Sequence, residues 1–257
     1  MKKLALIGAT TVFVFGIAQA QLDNLRLGLQ LSPTISWMKT NDDLINKAGS
    51  NVGISVGGVA EYYMTENVAF TGGFGVSFGQ GGTLLHEHGG NYWPNSELSD
   101  DKFNTGDKPL PDGVKLKYRM QYIQVPLGIK LRTDEKGYLR YFAELPILTM
   151  GIRTQARGDI EGKDISSEKE NISKDVNLFN FQLGLGGGIE YSLSPGTSLV
   201  AGLYLHTGLN DITKDDGIRA ADNSDQAPSN PNDDYLFSPE DSRGRLSNVT
   251  LRIAIMF

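Results

Sequence analysis

Cysteine is absent from the 257 residues, so neither a disulfide framework nor Cys-based zinc or thiol chemistry is available. Positive charge is in the minority. The 24 Lys and Arg against 30 Asp and Glu give a net charge of −6, which argues against a nucleic-acid binder, a class marked by a basic patch or stripe. Outside the extreme N-terminus no apolar run reaches the ~18 residues that a helical membrane span needs. No low-complexity or charge-rich half is set off from the rest, and the length suits one large all-β unit. Glycine is plentiful instead, with 31 residues against an ordinary share of about 7%.

The N-terminus reads as an export signal. Met1-Lys2-Lys3 supplies a positive start, residues 4–17 an apolar stretch, and Ala18-Gln19-Ala20 a small-residue cleavage site before Gln21. The expected organisation is therefore a signal peptide over 1–20, removed, and one domain over 21–257. Loss of Lys2 and Lys3 leaves 22 basic residues (24 minus 2) against 30 acidic, a mature net charge near −8.

Period-two alternation dominates almost everything after Gln21. Leu25, Leu27, Leu29 and Leu31 alternate with Arg26, Gly28, Gln30 and Ser32. Val52, Ile54, Val56, Ala60 and Tyr62 alternate with Gly53, Ser55, Gly57 and Glu61, and Phe70, Phe74, Val76 and Phe78 continue the pattern. One apolar face opposite a small or polar one is a strand signature, not a helical one. Within 114–131, Leu116, Tyr118, Met120 and Tyr122 hold one parity, and Ile123, Val125, Leu127, Ile129 and Leu131 the other. This switch at Tyr122-Ile123, close to Pro126, predicts a β-bulge. Segments 139–152, 179–193, 199–209 and 249–257 bring the count to eight strands.

The connections alternate in length. Short turns fall at 64–67, 133–137 and 194–196, and long polar loops at 39–50, 79–113, 153–175 and 210–246. These features predict an all-β fold: an eight-stranded antiparallel up-and-down transmembrane β-barrel with short periplasmic turns and four long extracellular loops. Glycines and charges on the parity opposite the apolar one suit a narrow polar interior, the inverse of a soluble lipocalin-type barrel. Aromatic girdles are expected from Trp37, Phe78, Tyr118 and Phe179 at one rim and Tyr62, Tyr141 and Tyr191 at the other. Ile253, Ile255 and the terminal Phe257 resemble the C-terminal signal read by barrel assembly machinery.

Several segments carry a family resemblance. They are Leu27-Gly28-Leu29-Gln30, Tyr122-Ile123-Gln124-Val125-Pro126-Leu127-Gly128-Ile129-Lys130, Phe181-Gln182-Leu183-Gly184-Leu185-Gly186-Gly187-Gly188-Ile189-Glu190-Tyr191 and Gly208-Leu209-Asn210-Asp211. Through them the chain resembles the PorT-type outer-membrane β-barrel family of the Bacteroidetes over nearly all of its mature length. The motifs build a barrel and are not catalytic. The resemblance implies the outer membrane as location, and a family that includes a component of the type IX secretion and gliding apparatus.

Eight strands leave an interior that side chains can fill. The inward parity carries Arg26, Lys130, Arg140 and Arg252 beside Glu61, Glu144 and Glu190, all toward the periplasmic half. An unpaired charge in a narrow lumen costs several kcal/mol, so these groups are expected to pair and plug it. His86-Glu87-His88 reads as exposed polar loop rather than a zinc site, and His206 has no evident partner acid. Asp211, Asp215, Asp216, Asp222, Asp225, Asp233, Asp234, Glu240 and Asp241 form an acidic last loop without Ca²⁺-loop spacing; loose divalent bridging to lipopolysaccharide is its functional version. Gly184-Leu185-Gly186-Gly187-Gly188 lies inside a strand and does not suit a nucleotide loop. Tyr92, Trp93, Tyr235 and Phe237 give the long loops apolar anchors of the kind interfaces use. No catalytic residue, cofactor or metal is expected. Expected partners are outer-membrane lipid and lipopolysaccharide, the barrel assembly machinery, and envelope or secretion-system proteins. The reading is a non-enzymatic envelope scaffold or assembly component, with a free-standing, small-solute or envelope-stabilising barrel as the alternative.

Overall fold

The computed structural model describes residues 24–99, 110–163, 165–220 and 237–257, which leaves the 1–20 signal-peptide expectation outside it. In chain order the strands are β1 (Leu25–Lys39), β2 (Ile45–Thr65), β3 (Val68–His86), β4 (Gly90–Asn91), β5 (Val114–Arg132), β6 (Leu139–Gly162), β7 (Ile165–Asn171), β8 (Phe179–Ser194), β9 (Thr197–Gly208), β10 (Gly217–Ala220), β11 (Phe237–Glu240) and β12 (Arg245–Met256). Eight of them run β5-β3-β2-β1-β12-β9-β8-β6 and close through β5–β6, every neighbour antiparallel. Chain ends meet at β1–β12, where Phe257 N–H donates to Leu27 O at 2.7 Å. Closure removes every sheet edge at membrane depth, which a lipid-embedded sheet requires.

The outward parity is apolar along the lower part of every ring strand. Leu27, Leu29, Val56, Phe74, Leu127, Leu148, Leu185, Leu203 and Ile253 all project outward and exposed, a belt that lipid covers. Tyr62, Tyr141 and Tyr191 sit at its lower rim, joined by Tyr138, also exposed. Below them the chain turns tightly, as at Pro195-Gly196, where Gly196 takes φ 88°, a conformation open to glycine.

Above the belt the sense of the alternation inverts, which corrects two expectations. In β5 the inward residues stay on even parity from Val114 through Tyr122 to Lys130, so there is no switch of phase at Tyr122-Ile123. What changes is chemistry. Leu116, Tyr118, Met120 and Tyr122 point inward into an apolar core, whereas lower down the apolar residues point outward to lipid. The bulges fall on the neighbours instead, at Phe78-Gly79 in β3, where Gly79 has φ 72°, and at Thr154 in β6. Tyr118 therefore belongs to this core and not to the outer girdle.

The long connections are also shorter than expected, because strands continue into them. β2 begins at Ile45, β3 reaches His86 and β6 reaches Gly162, where β7 pairs with it. Those four taller strands β2, β3, β5 and β6 are contiguous in the sheet. Over the mouth lies a small antiparallel sheet of β4, β10 and β11.

Candidate functional site

The lumen is floored by ionised side chains. Lys130 Nζ on β5 donates to Glu61 Oε1 of β2 at 2.7 Å and to Glu190 Oε2 of β8 at 3.1 Å. Arg26 of β1 reaches the same Glu190 at 2.5 Å and Ser198 at 2.5 Å. One level up, Arg252 of β12 donates to Glu144 Oε2 of β6 at 2.8 Å, and that carboxylate also accepts from Tyr204 OH at 3.0 Å and Thr71 Oγ1 at 2.7 Å. Lys130 and Glu190 side chains are 1% and 0% exposed, so their charges are stabilised by each other rather than by water. Strand geometry explains the convergence: alternate residues of a tilted ring all aim at one narrow axis.

Six of the seven expected lumen charges meet here, namely Arg26, Glu61, Lys130, Glu144, Glu190 and Arg252. Arg140 does not. It pairs with Glu135 in the turn before its own strand, at 2.7 Å, because it lies at the strand's first residues where the turn is in reach. Its place is taken by Arg132, which sequence reasoning missed. Arg132 Nη1 donates to Tyr63 OH at 2.9 Å, lies 3.5 Å from Glu190, and stacks its guanidinium 3.9 Å from the Tyr63 ring centroid. Tyr63 in turn donates to Glu61 at 2.6 Å. Arg132 shares the even parity of Lys130, and that was the available signal. Every lumen carboxylate is engaged by a cation, an arrangement suited to holding charge in place.

Above the floor lies a cavity of ≈ 60 Å³, walled by polar side chains such as Gln30, Thr34, Gln182, His206 and Asn248. Its size and polarity suit a few ordered waters. The glycines opposite it make room for large rings: a Cβ on Gly186 would meet the Tyr204 ring at 2.2 Å, and one on Gly184 would meet His206 at 2.4 Å. This accounts for the glycine run without a nucleotide.

Toward the extracellular end the inward side chains form an apolar core of Met38, Leu84, Trp93, Leu116, Tyr118, Ile160, Ile212 and Leu246, among others. Trp93, from the connection after β4, lies inside the mouth against Gly158 of β6. Asp175 ties the cap down by accepting from Asn95 N and Nδ2, both at 3.0 Å, and from Ser96 Oγ. Tyr92 is buried as well, its hydroxyl donating to His88 O at 2.6 Å. Tyr235 lies outside the described residues.

His86, Glu87 and His88 do not converge. His86 turns inward with its ring 3.9 Å from that of Tyr92, and Glu87 turns outward to accept from Asn46 at 2.8 Å. Burial pushes His86 down to about 3, so it is held neutral. In the last loop, Asp211 accepts from Thr213 N and Gly244 N, both at 2.9 Å, Asp216 from Asn95 at 2.8 Å, and Glu240 from Ser242 N at 2.8 Å. Burial raises both Asp211 and Glu240 above the usual carboxylate range. Asp222, Asp225, Asp233 and Asp234 lie outside the described residues. Among the described residues no group of His, Asp and Glu is arranged to hold a metal.

Three solved structures are similar to this chain at low identity. Neisserial surface protein A aligns with a TM-score of 0.40 at 10% identity, over 91% of this chain and 97% of that one. The outer membrane protease OmpT from Escherichia coli gives 0.37 at 10% identity, over 92% and 97%. Ail, the attachment invasion locus protein of Yersinia pestis, gives 0.35 at 9%, over 90% and 98%. At such values they carry no argument about function. No curated protein sequence matches the chain significantly. The family model of the outer membrane protein beta-barrel domain matches residues 18–214. An eight-stranded ring with a lipid-facing belt and a match of that extent lead to one conclusion: the chain belongs to the outer membrane protein beta-barrel domain family and is an integral outer-membrane protein.

Proposed function

We propose that this barrel has a closed lumen, is not an enzyme, and serves as an envelope scaffold or assembly component through its extracellular cap. The observation that carries this reading is the filling of the lumen at both ends, by the Lys130–Glu61–Glu190 floor and by the Trp93 core. A cap with its own buried core presents a fixed outer surface, which favours contact with another envelope component over passage of a solute. The resemblance to PorT-type barrels supports a role beside secretion machinery of the type IX kind. In the same reading residues 1–20 are the export signal and 21–257 the mature barrel. Ile253, Ile255 and Phe257, which project outward on the closing strand, serve as the signal for barrel assembly machinery.

The test is crosslinking and affinity purification of a tagged copy from native outer membranes, read by mass spectrometry. A stoichiometric protein partner crosslinked through cap residues is the expected result. Recovery of a lone barrel carrying only lipid overturns the assembly role and leaves the free-standing, envelope-stabilising alternative.

A further inference from the structure

On the outer wall, just above the lipid belt, β5 and β6 set like charges opposite each other. The highest apolar pair of the belt here is Ile123↔Ile152; above it come Gln121↔Gln155 and then Arg119↔Arg157. Higher still the pairs are Lys117↔Asp159 and Lys115↔Glu161, each of opposite sign. Like charges directly opposed on one sheet face are destabilising, so the Arg119–Arg157 pair is the one that calls for an outside anion.

Arg119 is bonded to Asp159. Arg157 is exposed and forms no salt bridge among the described residues; the Gln155 amide, once turned so that its oxygen faces this guanidinium, accepts from Nε at 3.1 Å and Nη2 at 3.2 Å. A third cation joins them from β7. Lys169 holds a left-handed backbone, φ 61°, fixed by donation of its N–H to Asp159 Oδ1 at 2.8 Å. Arg119, Arg157 and Lys169 then line one open concavity of ≈ 360 Å³ together with Gln121 and Gln155. Asp159, the carboxylate bonded to Arg119, lies beside these three cations.

We propose that this concavity binds a phosphate group on the head of a phosphorylated glycolipid in the outer leaflet. Depth supports that source. Along a strand tilted as barrel strands are, Arg119 lies about 10 Å above Ile123, and arginine stems reach down along apolar wall to the headgroup level. The chemistry supports it too, since the planar guanidinium fork matches phosphate oxygens two at a time. Gln121 and Gln155 add donors and acceptors suited to sugar hydroxyls. The site lies on the outer face of the wall and does not depend on how the lumen is used.

The full barrel, refolded in detergent, would be titrated with bisphosphorylated lipid A, with its enzymatically dephosphorylated form and with inorganic phosphate, and bound lipid counted by native mass spectrometry. The expected result is binding of the phosphorylated lipid roughly tenfold or more tighter than the dephosphorylated one. The Arg119→Gln/Arg157→Gln double variant and, separately, Lys169→Gln should weaken it, while Lys115→Gln leaves it unchanged. Lys169 is exposed, so its variant keeps the test open if the double variant folds poorly. Equal binding of both lipids, or indifference to all these substitutions, overturns the proposal. Saturation by inorganic phosphate with no preference for lipid overturns it as well, since the source would then be a free anion.

Discussion

Trp93 Nε1 donates to Tyr118 OH at 3.1 Å, and the two rings meet edge to face with centroids 5.5 Å apart. The bond joins a loop residue to the inner face of β5, so the cap is fastened to the wall by a buried polar contact as well as by apolar area. Trp93→Ala should cost about 3–5 kcal/mol in the cap. Hydrogen exchange is expected to quicken at Leu116–Tyr118 and Ala156–Ile160 and to stay slow in the belt. Unchanged protection around Tyr118 would show that the cap is held by something else.

Within the floor, Lys130→Met removes the cation of both Glu61 and Glu190. Glu190 keeps Arg26 and Arg132, but among the described residues Glu61 keeps only the Tyr63 hydroxyl. Breaking a buried pair from one side costs about 3–5 kcal/mol, so the gel-shift temperature of the folded barrel should fall. Glu144→Gln should lower it too, by the loss of a charge-assisted bond to Arg252 of about 1–3 kcal/mol. Wild-type thermal behaviour in both variants would mean that the lumen charges are not coupled as drawn.

In planar bilayers the wild-type barrel is expected to give no steady single-channel steps. Removing residues 87–111 should not open it, because the ion-pair floor lies beneath the polar chamber. Regular steps from the intact chain would sink the closed-lumen reading and turn attention to solute transport.

Acid should loosen the cap. His86 sits above the lipid belt, is held neutral with a folded value of about 3, and would titrate near 6.5 when unfolded. Between those values the unfolded form binds the extra proton, so stability is complete above about pH 6.5 and falls as pH drops toward about 3. Asp211 and Glu240, both raised by burial, act in the opposite sense and favour the folded form as pH falls. Protease nicking of the cap near pH 4.5 should therefore exceed that at pH 7.5, and His86→Leu should flatten the difference. A pH response surviving in that variant would assign it to other groups.

The ring itself was legible, because a period-two pattern with alternating loop lengths permits few other folds. Its upper half was not. Leu116 to Tyr122 and Ile123 to Leu131 read as one strand changing phase, since a sequence shows which residues are apolar but not which side is dry. In lipid the dry side is outside; in water it is within. The same limit applies to Arg140 and Arg132, which both point inward by parity, one caught by its turn and the other by Tyr63 and Glu190. Trp93 reads as an anchor from its residue type alone, but only the fold shows that what it anchors is its own barrel.

The inversion on β5 and β6 also works as a vertical gauge. Were the molecule to sink by one residue pair, the glutamines and then Arg119 and Arg157 would approach hydrocarbon, where an arginine costs up to about 2–4 kcal/mol at mid-bilayer. Were it to rise, Ile123 and Ile152 would be lifted into water. Both displacements are opposed by the same short stretch of wall, so the height at which the protein floats is written into two strands.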